Sequence, residues 1–296
     1  MSILVTGGTG TVGSKVVREL LVRKADVSVL TRDASKATAL PSGVRAVEGN
    51  LHDADAVRRI FRGIDTVFLV TTVGPTEATD GLMAITAVRV AGVRRIVYLS
   101  VHGADKAAWL PHFGSKVGIE AALKVSGIAF SVLRPNNFFQ NDYWFKDAIV
   151  KHGVYPQPIG SAGLSRVDVR DIAEAAAILL TEPGHDGQFY DVVGPEQMTG
   201  PRTAEIWSGA LGRPVAYGGD DLDAWEKQML QFTPPATVFD FRYMYDYFQK
   251  EGLKASAQAI ARQTKLLGHA PRRFEAFAAE TAAVWTGPEV RPEVPM

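Results

Sequence analysis

Short apolar runs rich in Val, Ile and Leu recur along the first two thirds of the chain. Ile3–Thr6, Asp26–Thr31, Val44–Val47, Thr66–Val70, Arg95–Ser100 and Ala129–Leu133 each span four to six residues. Runs this short and this uniformly apolar predict strands buried on both faces of a sheet. Between them the apolar spacing changes to that of amphipathic helices, as at Lys15–Val22, 54–62 and Leu82–Val90. Strands alternating with such helices predict crossover connections and a parallel sheet covered on both sides. Phe189–Val193 adds one more strand, after a helix near Asp171–Leu180.

Past residue 152 the pattern loosens. GVYPQPIGSAG (153–163) is punctuated by Gly and Pro and reads as a long loop. Helical patterns follow at Thr203–Leu211, Leu222–Leu230 and Phe274–Trp285, and the final GPEVRPEVPM is expected to lack fixed structure. The predicted architecture is α/β: a doubly wound parallel sheet carrying a smaller, mainly helical C-terminal cap. Residues 1–152 and a returning segment at 167–195 form the sheet domain. Residues 153–166 and 196–286 form the cap, and 287–296 a tail.

Composition narrows the chemistry. The 296 residues carry 32 basic and 32 acidic side chains, so no charge excess favours nucleic acid or a membrane surface as partner. There is no cysteine, which excludes disulfides, thiolate catalysis and zinc–thiolate sites. No apolar stretch approaches the length of a membrane span, and the first strand starts at once, so a cytoplasmic protein is expected. The histidines are scattered without metal spacing, and the G-x-S-x-G elbow of hydrolases is missing.

TGGTGTVGSKVV (6–17) follows the first strand and opens a helix whose buried face is Val12, Val16, Val17 and Leu20. Its glycines satisfy both G-x-G-x-x-G (Gly8, Gly10, Gly13) and G-x-x-G-x-x-G (Gly7, Gly10, Gly13). Such a loop lets a pyrophosphate approach the backbone at the positive end of the helix, which predicts a dinucleotide site. At the end of the second strand stands VLTRD. Arg32 there accommodates a 2′-phosphate, whereas Asp33 would read a 2′-hydroxyl; the arginine comes first, so NADP(H) is expected over NAD(H). No flavin and no metal are expected beside it. Asp53, in GNLHD (49–53), is open to two readings: contact with the adenine amine, or N-cap of the helix at 54–62.

TGGTGTVG, LTRD, DTVFLV (65–70), RRIVYLSVHGA (94–104), HFGSK (112–116), VLRPNNFFQN (132–141) and VDVRDIAEAAA (167–177) together resemble the NmrA-like branch of the atypical short-chain dehydrogenase/reductase superfamily. The resemblance implies a Rossmann fold and cofactor contacts from Gly7, Thr9, Gly10, Thr11, Val12 and Gly13 in the loop. It further implies contacts from Val70, Thr71, Thr72, Ser100, Lys116, Pro135 and Asn137, with Asn136 or Asn137 able to bond the nicotinamide carboxamide. The branch holds quinone, dye and azo reductases and also regulators that bind NADP without turning it over.

Most of the superfamily uses Y-x-x-x-K, two side chains on one helix face; here His112 replaces the tyrosine and Lys116 stays. Lys116 is expected to hold the ribose, and His112, with a reference pKa of about 6.5, to donate a proton or touch substrate. The plainer alternative makes His112, Lys116 and Glu120 a surface row with an exposed Lys116–Glu120 pair. Phe138 and Trp144, within a stretch that also holds Phe139, Tyr143 and Phe145, are expected at the substrate. A second aromatic cluster, FDFRYMYDYF (239–248) with Trp225, Met229 and Phe232 upstream, reads either as pocket wall or as cap core. Asp171 is expected as an N-cap and Asp168 as partner of a basic neighbour. The function these features predict is reduction of a quinone, azo dye or similar conjugated acceptor by NADPH, with a small aromatic substrate as partner and a homodimer left open. The alternative is a non-catalytic NADP(H)-binding sensor that acts through a protein partner.

Overall fold

The computed structural model describes residues 1–33 and 40–287, so the tail from 288 lies outside the described residues. In chain order the strands are β1 (Ser2–Val5), β2 (Asp26–Thr31), β3 (Arg45–Glu48), β4 (Thr66–Leu69), β5 (Arg95–Leu99), β6 (Ala129–Pro135), β7 (Val154–Tyr155), β8 (Gln188–Val192) and β9 (Ala216–Tyr217). Seven of them form one parallel sheet in the order β3-β2-β1-β4-β5-β6-β8, while β7 and β9 pair separately. Alternation along the central strands divides their side chains between two cores. Ile3, Val5, Phe68, Val97 and Leu99 face α1 (Gly13–Val22) and the later helix over Val169–Thr181; Leu4, Val67, Leu69, Ile96 and Tyr98 face the opposite layer. That layer is α2 (Ala54–Ile60), α3 (Glu77–Ala91) and α4 (Pro111–Val125).

The chain then leaves the sheet through α5 (Lys146–His152), returns as α6 (Val169–Thr181) and β8, and builds the cap from α7 (Gly200–Leu211), α8 (Leu222–Met229), α9 (Pro235–Glu251) and α11 (Phe274–Thr286). The cap has its own core, in which Trp207 stacks on Trp285 at 4.8 Å and meets Phe274 and Phe277 edge-on. Between α9 and α11, α10 (Ala257–Leu267) goes back to the sheet domain: buried Gln263 accepts from the Val193 N–H at 2.7 Å, and Leu266 and Leu267 pack against the α1/α6 core. The 153–163 segment is a loop except where Val154 and Tyr155 pair with Ala216 and Tyr217.

Asp53 caps α2, its carboxylate accepting from the N–H groups of Asp55 and Ala56 at 2.8 and 3.0 Å. The cap of α6 is Asp168, not Asp171: Asp168 is extended and accepts from the Arg170 N–H at 2.9 Å, so Asp171 falls inside the first helical turn. Asp168 also pairs with the Arg170 guanidinium at 2.6 Å, as the sequence suggested of it.

Candidate active site

The strand order reverses between β1 and β4, and the loops leaving their carboxyl ends part to form a crevice. Thr6 pins the two ends together, its hydroxyl donating to the Val70 carbonyl at 2.9 Å and accepting from the Val70 N–H at 2.6 Å. Gly7 follows with φ of 63°, where a side chain is strained. The turn then closes so tightly that a Cβ on Gly13 would lie 2.2 Å from the Gly7 carbonyl oxygen. Among the described residues no protein group accepts from the N–H of Thr11, Val12 or Gly13, and the first turn of α1 holds no acidic residue. Donors without partners at the positive end of a helix, reached over backbone without side chains, fit the diphosphate of a dinucleotide.

Two adjoining cavities open from this loop. The smaller, about 250 Å³, runs between Arg32, Asn50 and His52; the larger, about 420 Å³, runs from Gly10 past Thr71 to His112, Lys116 and the cap. They share Gly7, Val70 and Thr72. Every cofactor or substrate residue expected from the sequence lines one or both: Thr9 and Arg32 the smaller, and Gly10–Gly13, Val70–Thr72, Ser100, Pro135, Asn137, Phe138 and Trp144 the larger. Arg32 is exposed and no described carboxylate pairs with it, whereas His52 is held by Asp80 at 2.7 Å.

At the floor of the larger cavity α4 is buried, which overturns the surface-row alternative. Lys116 Nζ lies 2.7 Å from Glu77 Oε1, and Glu77 also accepts from the Thr71 hydroxyl at 2.7 Å. Glu77 is fully enclosed and its Oε2 has no partner among the described residues. Glu120 binds Arg134 through both oxygens, at 3.0 and 2.5 Å, and accepts from Ser100 Oγ at 2.6 Å. No Lys116–Glu120 pair forms because α4 is buried against the sheet beside α3, and each charge finds its counter-charge there. His112 Nδ1 lies 2.7 Å from Asp240 Oδ1 on α9, with both side chains only 7% exposed.

Two buried tyrosines lie near this floor. Burial pushes the Tyr245 phenol, which accepts from Gln157 Nε2 at 3.1 Å, up to about 12. Burial likewise raises Tyr98, whose ring lies 5.9 Å from Lys116 Nζ, well above the usual phenol range.

Above the floor, Asn136 is used by the protein: its Nδ2 donates to the Leu253 carbonyl and its Oδ1 accepts from the Asn137 N–H. Asn137 Oδ1 accepts from Arg166 Nε at 2.9 Å, leaving Nδ2 without a partner among the described residues. Arg166 is fully buried and also binds Asp142 at 2.6 Å and the Phe138 carbonyl at 2.9 Å, so it locks the 137–142 loop to the cap. The aromatic cluster on α9 divides by face. Met244, Tyr245 and Phe248 belong to the cap core and line the cavity as well, so both readings of that stretch hold; Phe239 and Tyr243 are exposed. Trp144 is exposed at the rim, Phe139 is core, and Phe232 is in solvent.

Sequence reasoning missed Glu77, Asp240 and Arg166. Glu77 carried a signal: Gly81, Ala84, Ile85 and Val88 define the buried face of α3, and Glu77 lies on its extension. Asp240 and Arg166 carried none that local spacing reveals. Asp171, Glu174 and His269 bring ligand-type atoms within 4.8 Å of one another, but the Arg272 guanidinium already binds both carboxylates. No helix among the described residues is long and apolar enough to cross a membrane.

Residues 1–278 match the NmrA-like family. The NAD(P)H azoreductase of Xenophilus azovorans is 34% identical over 286 residues, which cover 96% of this chain and 99% of that protein. A (4-alkanoyl-5-oxo-2,5-dihydrofuran-3-yl)methyl phosphate reductase of Streptomyces griseus is 34% identical over 284 residues, covering 95% and 98%. Among solved structures, an NADPH-dependent quinone oxidoreductase of Escherichia coli complexed with NADPH superposes with a TM-score of 0.84 over 94% of this chain and 99% of that one. At 24% identity that likeness speaks for the fold.

Proposed function

Since the chain belongs to the NmrA-like family, and relatives of nearly its full length are reductases, one of them an NAD(P)H azoreductase, we propose that it is an NADPH-dependent oxidoreductase acting on a flat conjugated acceptor such as a quinone or azo compound. The observation that carries this reading is the wall of the larger cavity. Phe138, Trp144, Phe241, Met244 and Phe248 face the same space as Lys116 and His112. An apolar, aromatic-lined slot with a few polar groups at its floor suits a planar acceptor.

When bound, a nicotinamide dinucleotide would supply hydride. Of the protein's own groups, the N–H donors of Thr11, Val12 and Gly13 hold its diphosphate and Arg32 its 2′-phosphate. Lys116, fixed by Glu77, holds ribose hydroxyls, and Asn137 Nδ2 meets the carboxamide. His112 gives the acceptor its proton. Both neighbouring phenols are poorer donors than an ordinary tyrosine, because burial disfavours their ionised form.

NADPH oxidation with purified wild type and His112→Ala, against quinones, azo dyes and conjugated ketones, tests this. Turnover should fall on the order of 100-fold in the variant. Unchanged turnover would move proton supply to water. Bound NADPH with no turnover in either protein would leave the sensor acting through a partner.

A further inference from the structure

We propose that Asp240 is the positioning residue for His112: a carboxylate from the cap holds Nδ1 of the imidazole and turns Nε2 into the cavity. This rests on the reading of His112 as proton donor. The two residues are 128 positions apart and meet only because α9 lies over α4. Nδ1 is 2.7 Å from Asp240 Oδ1, whereas Nε2 has no partner among the described residues and is not sealed from solvent, and the ring lines the cavity. The ring also meets Phe113 and Phe241 edge-on, at 4.7 and 5.9 Å, and a half-turn about Cβ–Cγ would put a carbon where Nδ1 now meets the carboxylate. Asp240 shares one face of α9 with Phe241, Met244, Tyr245 and Phe248, at spacings i, i+1, i+4, i+5 and i+8. One rigid element therefore carries both the apolar wall over the substrate and the group that aims the acid.

The chemistry follows from which nitrogen is committed. With Nδ1–H donating to Asp240, the mobile proton is the one on Nε2. Hydride brings both electrons to the acceptor. The Nε2–H bond breaks with its electron pair left on nitrogen, an O–H or N–H bond forms on the acceptor, and bulk water reprotonates the neutral imidazole. Were the pair only a tether between cap and sheet, Asp240 would matter equally whether or not residue 112 is histidine.

The test is a double-mutant cycle with Asp240→Asn and His112→Gln, reading kcat, KM and NADPH affinity by titration. Asp240→Asn should lower kcat about tenfold or more in the wild-type background, since the amide also supports the wrong tautomer. It should leave NADPH affinity unchanged and have no further effect in His112→Gln. Equal losses in both backgrounds, or no loss in the first, overturn the proposal. If His112→Gln itself keeps full turnover, the donor reading fails instead. NMR of isotope-labelled histidine decides without turnover: the His112 signal, identified by its loss in His112→Gln, should show a protonated Nδ1 that Asp240→Asn perturbs. An Nε2-protonated neutral ring in the wild type would also overturn the proposal.

Discussion

Arg32 closes β2 at the lip of the smaller cavity with a guanidinium that no described carboxylate neutralises. A phosphate on the ribose would gain charge-assisted hydrogen bonds there, whereas a bare hydroxyl would not. Arg32→Ala should therefore weaken NADPH roughly 10- to 100-fold, the loss of about 1.5–3 kcal/mol for bonds to charged groups, and barely change NADH. Fluorescence titration of both cofactors checks this; parallel losses would count against it. That Arg32, Lys116 and the loop glycines would line one crevice was legible because each stands in a local motif. Their partners were not: Glu77 is 39 residues from Lys116 and Asp240 is 128 from His112, so HFGSK shows two bases on one helix face and neither counter-charge.

Lys116 and Glu77 also join two elements, since one stands on α4 and the other on α3, with side-chain exposures of 9% and 0%. Removing one partner of such a pair strands the other charge without water, at a cost of about 3–5 kcal/mol, while replacing both with apolar groups is often close to neutral. Lys116→Ala should thus unfold at clearly lower denaturant than wild type, and Lys116→Met/Glu77→Leu should recover much of the difference. If the double variant is as weak as the single one, the pair is not what couples these helices. The sheet strands and crossover helices were readable because burial on both faces imposes short apolar runs and amphipathic helices between them. Pro235–Glu251 and Ala257–Leu267 were not read as helices, for two different reasons. Aromatic residues on α9 crowd its exposed as well as its buried face, whereas α10 has only Ile260, Leu266 and Leu267 as large apolar residues and meets the sheet partly through Gln263.

At the scale of the molecule, a sheet with a cap crossed more than once was visible in the change of pattern after residue 152. What fastens the two was hidden, because it is made of charges remote in sequence. α6 presents Asp171 and Glu174 to His269 and Arg272, in the link between α10 and α11. The Ala270 carbonyl and Glu174 raise the His269 pKa, so its contribution is complete below the unfolded value of about 6.5 and fades as pH rises through the higher folded value. Burial works against the Glu174 carboxylate, yet Arg272 and His269 hold it below its ordinary range; its contribution is present above about 4.3 and is lost as pH falls through the folded value. Asp171 runs the other way, raised by burial despite Arg272, which blunts the acid side. The His269–Glu174 link is therefore strongest between about pH 4.5 and 6.5. Thermal melts of wild type and His269→Gln across that range and above it should differ most inside the window and converge toward alkaline pH. The difference should stay below about 1 kcal/mol, because His269 is largely solvated and screened. A gap that widens as pH rises would mean that the histidine is held in its neutral form and that the latch is carried by Arg272 alone.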